Sequence, residues 1–416
     1  MYKACALIWL CSLWGITPAQ TLSLQAILDS IASKHPAVKM YDYEIRSMDE
    51  AARGARSWMP PVLGAGFWMV PYEPKMWKSS EHGEPGMGQF MLSAEQMFPN
   101  KKVLDANETF MQAMSSVEKE KKQSWLVQLF AEAKLNYYEW LILKKKIAIL
   151  KQNEALLDFI TQSAEIRYKN NAEKINAYYK AKAAKGELEN MLLMIENEIR
   201  LKQIALATLM NRDKQWTFDI DTIYSFTDFS AISTDTSALF ESKSELRAYD
   251  RQINLNLLQL KTEKTKLRPE FGIKYDHMFA WSENPWQFSL MGMMRLPLAP
   301  WSSKMFKANI ESLKWKSLAL QQGKQMMLNE TLGMTAGMIA ELATGKKQLR
   351  LYEEKIIPAL RNNYESYLLG YEQNTEELFM LFDAWETLNM TQMEYLEQLE
   401  KVLLAQTELE RILEIR

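Results

Sequence analysis

The sequence predicts a mainly α-helical protein with a small β part, in which long coiled-coil helical hairpins accompany four β-strands. Three observations support this fold class. Glycine (15) and proline (13) are scarce among 416 residues, so long stretches run without helix breakers. Apolar residues in two long stretches recur at the spacing of coiled-coil packing. Four short segments instead alternate apolar and polar side chains, as strands do.

The N-terminus has the pattern of a secretory signal peptide over residues 1–19. Lys3 stands before an apolar run from Ala4 to Ile16, and small residues follow that run. We therefore expect cleavage after Ala19 and export of the remaining chain.

Composition and motifs argue against several classes of function. The formal net charge of −2 offers no basic face for nucleic acid. Cys5 and Cys11 both lie in the predicted signal peptide, so the mature chain would have no disulfide and no thiolate metal site. The sequence shows no phosphate-binding glycine loop and no His-Glu-x-x-His or Gly-x-Ser-x-Gly motif. We predict a protein that is not an enzyme, needs no cofactor and does not bind nucleic acid.

The chain reads as two similar halves, residues 20–212 and 238–416, joined by a linker over residues 213–237. Each half opens with a helical segment that ends before a proline and a strand. The first such helix is expected from about Leu24 to Ser57 and the second from about Ala238 to Lys266. Each half then continues through a second strand into a long helical hairpin.

The four predicted strands alternate as half-buried strands do. They are expected at residues 62–70, 89–98, 271–280 and 287–296. In the third strand, one face carries mainly aromatic and aliphatic side chains: Phe271, Ile273, Tyr275, His277 and Phe279. The other face carries Gly272, Lys274, Asp276 and Met278. Gln96 interrupts the apolar face of the second strand. One interpretation is a soluble amphipathic sheet packed on helices; another is a membrane sheet shared between subunits, because four strands cannot close a barrel.

Long helices follow the strands. The first is predicted from Lys101 to about Gln162, roughly 90 Å at the helical rise per residue. Its apolar seam comprises Leu126, Phe130, Ala133, Tyr137, Trp140 and Ile147. The seam of the last helix comprises Leu378, Leu381, Trp385, Leu388, Tyr395, Leu399, Val402, Leu409 and Leu413. These spacings favour coiled-coil hairpins.

The two hairpins share a motif where each is expected to turn. Tyr168-Lys-Asn-Asn171 in the first half aligns with Tyr371-Glu-Gln-Asn374 in the second. Asparagine tolerates the left-handed conformation that tight reversals need, so both motifs predict a turn.

Taken together, the paired helix–proline–strand segments, the strand–turn–long-helix order and the doubled turn motif resemble the TolC family of outer-membrane efflux proteins. The resemblance covers about Leu22 to Ile415, although the family usually has Tyr-x-x-Gly at the turns. It implies a homotrimer whose chains contribute four strands each to a shared 12-stranded outer-membrane β-barrel, above a large periplasmic helical tunnel, or α-barrel. It also implies contact with outer-membrane lipid, a periplasmic adaptor (membrane fusion protein) and an inner-membrane pump, and passive conduction.

The resemblance further implies that the turns lie at the periplasmic tip. Tyr168, Asn171, Tyr371 and Asn374 are then candidates for adaptor contact and gating. Some family members carry acidic rings six and nine residues after the second turn, where this chain has Met380 and Asp383. Three copies of Asp383 would favour cations at a constriction. The alternative is an ordinary solvated charge on a helix face.

Methionine is abundant, with 26 residues. Thioethers bind soft cations such as Cu(I) and Ag(I). Five methionines fall on the strand faces predicted to line the lumen: Met91, Met97, Met278, Met291 and Met293. They suggest a duct for copper or silver ions. The alternative is that methionine fills gaps in packing, as expected for Met191, Met194, Met326 and Met327.

The sequence therefore predicts the exit duct of a tripartite efflux system. A type I protein secretion duct would have the same architecture, and the sequence does not separate the two. An alternative of a different class is a periplasmic coiled-coil scaffold without a pore.

Overall fold

The computed structural model describes residues 20–79, 83, 85–170, 174–229, 243–280, 284–297, 299–373 and 375–415. The predicted signal peptide lies outside these ranges, as do Asn171 and Asn374 at the predicted turns. Over the described residues the chain is mainly α-helical with a small β part, and the predicted fold class is confirmed.

The described helices are α1 (Leu24–Lys34), α2 (Pro36–Arg53), α3 (Lys101–Lys169), α4 (Ile175–Leu209), α5 (Ser244–Thr265), α6 (Pro300–Leu351), α7 (Ile357–Glu372) and α8 (Leu378–Leu413). The longest, α3, runs for 69 residues and contains neither glycine nor proline. It ends seven residues beyond the predicted boundary at Gln162. None of the described helices combines the length and the apolar content needed to cross a membrane.

The first predicted helix is in fact two helices. Ser23 caps α1 by accepting a hydrogen bond from the backbone N–H of Ala26 at 3.3 Å. The helix stops at His35, whose extended backbone (ψ 131°) precedes Pro36. Because the proline ring disfavours helical geometry in the residue before it, the chain breaks here and restarts as α2 with proline at its first position.

The described strands are β1 (Gln20–Leu22), β2 (Val62–Trp68), β3 (Gln89–Phe98), β4 (Phe218–Ile220), β5 (Glu270–Ala280) and β6 (Gln287–Arg295). Four of them form one antiparallel sheet in the order β2-β3-β5-β6. Their bounds lie within two residues of the four predicted strands. The sheet crosses from the first half of the chain to the second where β3 pairs with β5.

Strands β1 and β4 form a separate parallel pair that the sequence did not predict. Gln20 pairs with Phe218 and Leu22 with Ile220. Each strand has three residues, which is too short to show an alternating pattern. The side chain of Phe218 is buried against Trp140 of α3, with ring centroids 5.2 Å apart.

A short π-helix, Tyr352–Ile356, separates α6 from α7. Its closing hydrogen bond runs from the backbone N–H of Ile357 to the carbonyl of Tyr352. Pro358 follows directly and has no N–H to donate. The wider turn therefore accommodates the proline without ending the helical path.

The chain forms two compact units, each drawn from both halves of the sequence. Unit 1 comprises residues 1–38, 125–236 and 331–416, and unit 2 comprises residues 39–124 and 237–330. The apolar clusters found among the described residues lie in unit 1. Of the predicted seam of α3, Phe130, Ala133, Tyr137 and Trp140 are buried there. Most of the predicted seam of α8 is also buried, including Leu381, Leu399 and Leu409, so both seam predictions are confirmed.

Several polar contacts join the elements of unit 2. The guanidinium of Arg56 binds Glu108 at 2.8 Å and Asp105 at 3.1 Å. Buried Asn256 of α5 donates to the carbonyl of Leu313 in α6 at 2.8 Å. Large apolar side chains such as Trp315 remain exposed in the single chain. Unit 2 therefore has a small apolar core of its own.

Candidate functional sites on the sheet and at the helical turns

One face of the sheet carries both methionines and charged residues, as the alternation in the sequence predicted. Across β3 and β5, Met91 pairs with Met278 and Glu95 with Lys274. Across β5 and β6, Lys274 pairs with Met291. Since paired residues share a face, the five candidate methionines lie on one side of the sheet. The members of this methionine face are Met91, Met97, Met278, Met291 and Met293.

Four of the charged side chains on the methionine face form two ion pairs. The ammonium of Lys274 lies 3.1 Å from the carboxylate of Asp276, which is buried. At the end of the sheet, Arg295 binds Glu270 at 3.1 Å across strands that pair these two residues. The face is therefore polar without a large excess of one charge.

The opposite face of the sheet is apolar and aromatic. Phe90 lies between Phe67 and Phe279, with ring centroids 5.8 Å and 6.3 Å away. Exposed side chains on this face include Leu63, Phe67, Phe271, Ile273, Tyr275, Phe288 and Leu290. A sheet face of this composition would be unstable in water unless another apolar phase covered it.

Gln96, which interrupts this apolar face, has its amide occupied by backbone groups. Its Nε2 donates to the carbonyl oxygens of Met59 at 3.0 Å and Met97 at 2.8 Å. Because the amide donors are satisfied locally, this polar side chain can be tolerated beside apolar neighbours.

The two turn motifs differ in the surroundings of their tyrosines. Tyr168, in the last turn of α3, is 42% exposed. Tyr371, in the last turn of α7, is 1% exposed and packs with Ile160, Ala164 and Leu381. The sequence predicted equivalent roles for them, whereas in this chain only Tyr168 offers its ring to solvent.

Arg167 joins the two turns. Its Nη2 donates to the carbonyl oxygen of Tyr371 at 2.8 Å, and its guanidinium carbon lies 3.9 Å from the centre of the Tyr371 ring. A hydrogen bond and a cation–π contact thus hold the end of α3 to the end of α7. We call this contact the Arg167–Tyr371 clasp.

No sequence pattern marked Arg167 as a functional residue. The equivalent residue in the second repeat is Gly370, so comparing the two repeats does not predict a functional arginine at position 167. Gly370 instead closes its own turn: its carbonyl accepts from the backbone N–H groups of Thr375 at 2.9 Å and Glu376 at 3.2 Å. A Cβ at Gly370 would lie 2.5 Å from Cγ of Glu376, so a side chain there would displace Glu376.

Met380 and Asp383 lie in the first turns of α8, one helical turn apart. Both are exposed in the single chain. Asp383 forms no ion pair with any residue that the structure describes. On the neighbouring side of the helix, Lys180 of α4 lies over the rings of Phe379 and Phe382, at 4.6 Å and 4.4 Å.

A second polar cluster, also not foreseen from the sequence, surrounds the π-helix. The hydroxyl of Tyr395 donates to Glu353 at 2.7 Å, and Lys145 lies 5.2 Å from the ring centre of Tyr224. Burial, followed by the hydrogen bond to Glu353, raises the pKa of Tyr395 above its usual value. This tyrosine therefore stays protonated and acts as a donor.

Among the described residues, no three His, Cys, Asp or Glu side chains are placed to hold a metal ion together. The methionine thioethers of the sheet are a different kind of donor, since they are neutral and soft.

The chain is similar to known proteins in structure and not in sequence. No protein-family model and no curated protein sequence matches the chain. Solved structures do match over nearly its whole length.

The similar structures are membrane proteins, including channels. The outer-membrane protein VceC from Vibrio cholerae has a TM-score of 0.74 at 14% identity, covering 94% of this chain and 95% of that one. A membrane protein from Pseudomonas aeruginosa has a TM-score of 0.77 at 12% identity, covering 95% and 91%. The transmembrane channel CusC has a TM-score of 0.75 at 9% identity, covering 94% and 91%.

These matches establish the fold. The chain has the fold of solved outer-membrane channel proteins, so the single-chain fold that the resemblance implied is confirmed. At identities this low, function is argued from the sites themselves.

Proposed function

We propose that this protein is the outer-membrane exit duct of a tripartite efflux system and belongs with the TolC-like channels. It would act as a homotrimer and conduct substrate passively from a periplasmic adaptor and an inner-membrane pump to the outside. The fold and the two-faced sheet support this proposal.

The observation that carries the proposal is the open sheet. Its order β2-β3-β5-β6 leaves β2 and β6 as edges, and four strands are too few to close a barrel. Unprotected edges invite pairing with another chain. Three copies joined edge to edge would give twelve strands and no free edge.

The two faces of the sheet suit such a barrel. Exposed aromatic and aliphatic side chains on one face, such as Phe288 and Leu290, would contact outer-membrane lipid. The methionine face would then line the lumen. A soluble sheet packed on helices would bury that apolar face, which is exposed in the described chain.

The turns of the two helical hairpins are the candidates for the periplasmic tip. Exposed Tyr168 is our candidate for adaptor contact, together with Asn171 and Asn374. Tyr371 is buried, so we assign it to gating through the Arg167–Tyr371 clasp. Asp383, with Met380 beside it, would form the acidic ring of the constriction.

Single-channel conductance of the detergent-extracted trimer in a planar bilayer tests the proposal. We expect defined conductance steps with a cation preference that Asp383→Ala weakens, because three carboxylates on one axis attract cations. Glu189→Ala, an exposed carboxylate on α4, is the matched control and should leave selectivity unchanged.

Other outcomes separate the alternatives. A conducting trimer indifferent to Asp383→Ala would keep the duct and remove the acidic ring. A water-soluble protein without conductance would support the pore-free periplasmic scaffold. A type I secretion duct would conduct equally, and it is distinguished by a peptide-exporting ATPase, rather than a resistance-type pump, encoded beside this gene.

A second proposal concerns the cargo: the duct serves a copper or silver exporter. The observation that favours it is the gathering of five thioethers on one sheet face. Deleting the gene should lower copper or silver tolerance while drug tolerance stays unchanged. Unaltered tolerance to both metals would contradict this proposal and leave the duct intact.

A further inference from the structure

Two methionines of the sheet face each other across a glycine. On the methionine face, Met97 of β3 and Met293 of β6 both pair with Gly272 of β5. Adjacent strands lie about 4.8 Å apart, so the two methionine backbones are separated by about 10 Å. Gly272 leaves the space between them free of a side chain.

Both methionine side chains bend into that space. A Cβ built on Gly272 would lie 2.4 Å from the sulphur of Met97 and 3.4 Å from the terminal methyl carbon of Met293. The two thioether ends therefore converge from opposite sides on one point above the strand. Both side chains are half-buried, and Gly272 itself is buried.

Charged groups flank this point without occupying it. On one side of Gly272 along β5, Lys274 pairs with Glu95 of β3. On the other side, Glu270 pairs with Arg295 of β6. Each of these two cross-strand pairs contributes one positive and one negative side chain. The groups that converge at Gly272 are thus the sulphur of Met97 and the terminal methyl group of Met293, whose own neutral sulphur is one bond away, and they lie between balanced charges.

We propose that Met97 and Met293 form a two-thioether site for a soft monovalent metal ion, Cu(I) or Ag(I), above Gly272. Two thioethers suit a soft ion of low coordination number, and they exclude hard ions such as Mg²⁺ or Ca²⁺. Thioethers carry no titratable proton, so binding is independent of pH in the neutral range. A neutral pair also binds more weakly than thiolates do, which allows the ion to leave again.

The site deepens the proposed function, because it rests on the methionine face being the lumenal face of a duct. The competing explanation is that the methionines fill the gap above Gly272 as flexible apolar side chains. The two explanations differ in whether the sulphurs respond to metal.

Titration of silver nitrate into the full-length trimer in chloride-free detergent, followed by NMR of ¹³C-methyl-labelled methionines, tests the site. Met97→Leu and Met293→Leu identify the two signals. We expect these methyl signals to shift together, at lower silver concentration than those of exposed helical Met194 and Met326. Simultaneous shifts of all four signals, or no shift of Met97 and Met293, would overturn the site.

Gly272→Ala is the decisive variant because it keeps every sulphur. The new methyl group would occupy the position 2.4 Å from the Met97 sulphur and push that side chain away. We expect the apparent silver affinity to fall at least about tenfold, the range seen when metal ligands are mispositioned. Gly292→Ala, where a Cβ would meet no atom within 4 Å, is the matched control and should bind silver as the native chain does.

Failure of the metal site can be told apart from failure of the proposed duct. A native protein that binds silver at these signals but never conducts would remove the duct and retain the site. Unchanged silver affinity in Gly272→Ala would remove the site and leave the duct untouched.

Discussion

Half-buried Arg167 makes two different contacts with the same partner residue, Tyr371. One contact is a charge-assisted hydrogen bond to the backbone of Tyr371, and the other is the stacking of its guanidinium on the Tyr371 ring. Both would be lost together if the side chain lost its charge, whereas the packing of its aliphatic stem would remain.

We therefore expect Arg167→Met to weaken the junction of the two turns by about 1.5–3 kcal/mol, the contribution of a hydrogen bond to a charged group. The open fraction in single-channel records should rise, and the midpoint of thermal unfolding should fall. Arg361→Met, an exposed arginine of α7, is the control. Equal effects of the two substitutions would show that the clasp contributes nothing specific.

His35 makes the junction of α1 and α2 sensitive to pH. Its Nδ1 accepts a hydrogen bond from the backbone N–H of Ala37 at 3.2 Å, which only an unprotonated nitrogen can do. Partial burial lowers the pKa of His35 from 6.5, against an opposing influence of Glu132. The folded state thus binds a proton less readily than the unfolded state, so stability present above pH 6.5 is lost as the pH falls through the lowered pKa.

Thermal unfolding at about pH 7.5 and about pH 5.5 measures this dependence. His35→Asn keeps a capping acceptor and removes the titration, so its midpoint should fall less on acidification than that of the native chain. A native-sized fall in the variant would assign the pH dependence to other groups.

At the scale of elements, β6 offers a direct test of which side of the sheet meets lipid. Leu290 is 67% exposed on the apolar face, and its neighbour Met291 is 45% exposed on the methionine face. Leu290→Lys would place a charge in hydrocarbon and cost about 2–4 kcal/mol if that face is lipidic. Met291→Lys would place the same charge in a water-filled lumen.

We expect Leu290→Lys to lower the yield of protein folded into liposomes strongly. Met291→Lys should lower it less, because its main cost in a water-filled lumen is the like charge of Lys274 opposite it. Protease resistance of the membrane fraction gives the yield. Equal yields would contradict the lipid assignment and favour an amphipathic sheet in water.

The strands and the long helices were predictable because their patterns are local and repeat many times. Alternation placed all four sheet strands within two residues of their observed bounds. The break at His35–Pro36 was missed because the apolar pattern continues across it. The opposite exposures of Tyr168 and Tyr371 could not be read from two matching motifs, since burial depends on which helix packs against each turn. Strands β1 and β4 are too short to carry a pattern.

At the scale of the whole molecule, the repeat and the element order pointed to the correct fold, although no sequence comparison does so. The positions that carry specific contacts were harder to predict. Gly272 looked like an ordinary member of an alternating strand, and its role emerged only from the register that sets Met97 and Met293 on either side.

Cysteine cross-linking tests the shared barrel. Both native cysteines lie within residues 1–19, so introduced cysteines report on one pair at a time once that segment is removed. We combine Val62→Cys on edge strand β2 with Ser289→Cys, Met291→Cys or Met293→Cys on edge strand β6. The combination whose two cysteines face each other across neighbouring chains should give a ladder of dimers and trimers under oxidation. The other combinations should not, because a disulfide needs Cβ atoms about 4 Å apart.

A control pair lies on the central strands, where Met91→Cys and Met278→Cys face each other within one chain. That pair should form only an internal bond and leave the chain monomeric on a denaturing gel. Absence of any intermolecular bond for all three edge combinations would argue against edge-to-edge assembly.

The uneven distribution of apolar clusters has a consequence for biogenesis. Unit 1 holds the large buried clusters, whereas unit 2 has polar contacts between its helices and an exposed apolar sheet face. If the chain is the proposed duct, unit 1 would become protease-resistant while unit 2 still awaits lipid and neighbouring copies. The sheet of such a half-structured monomer would complete its folding only as the trimer forms.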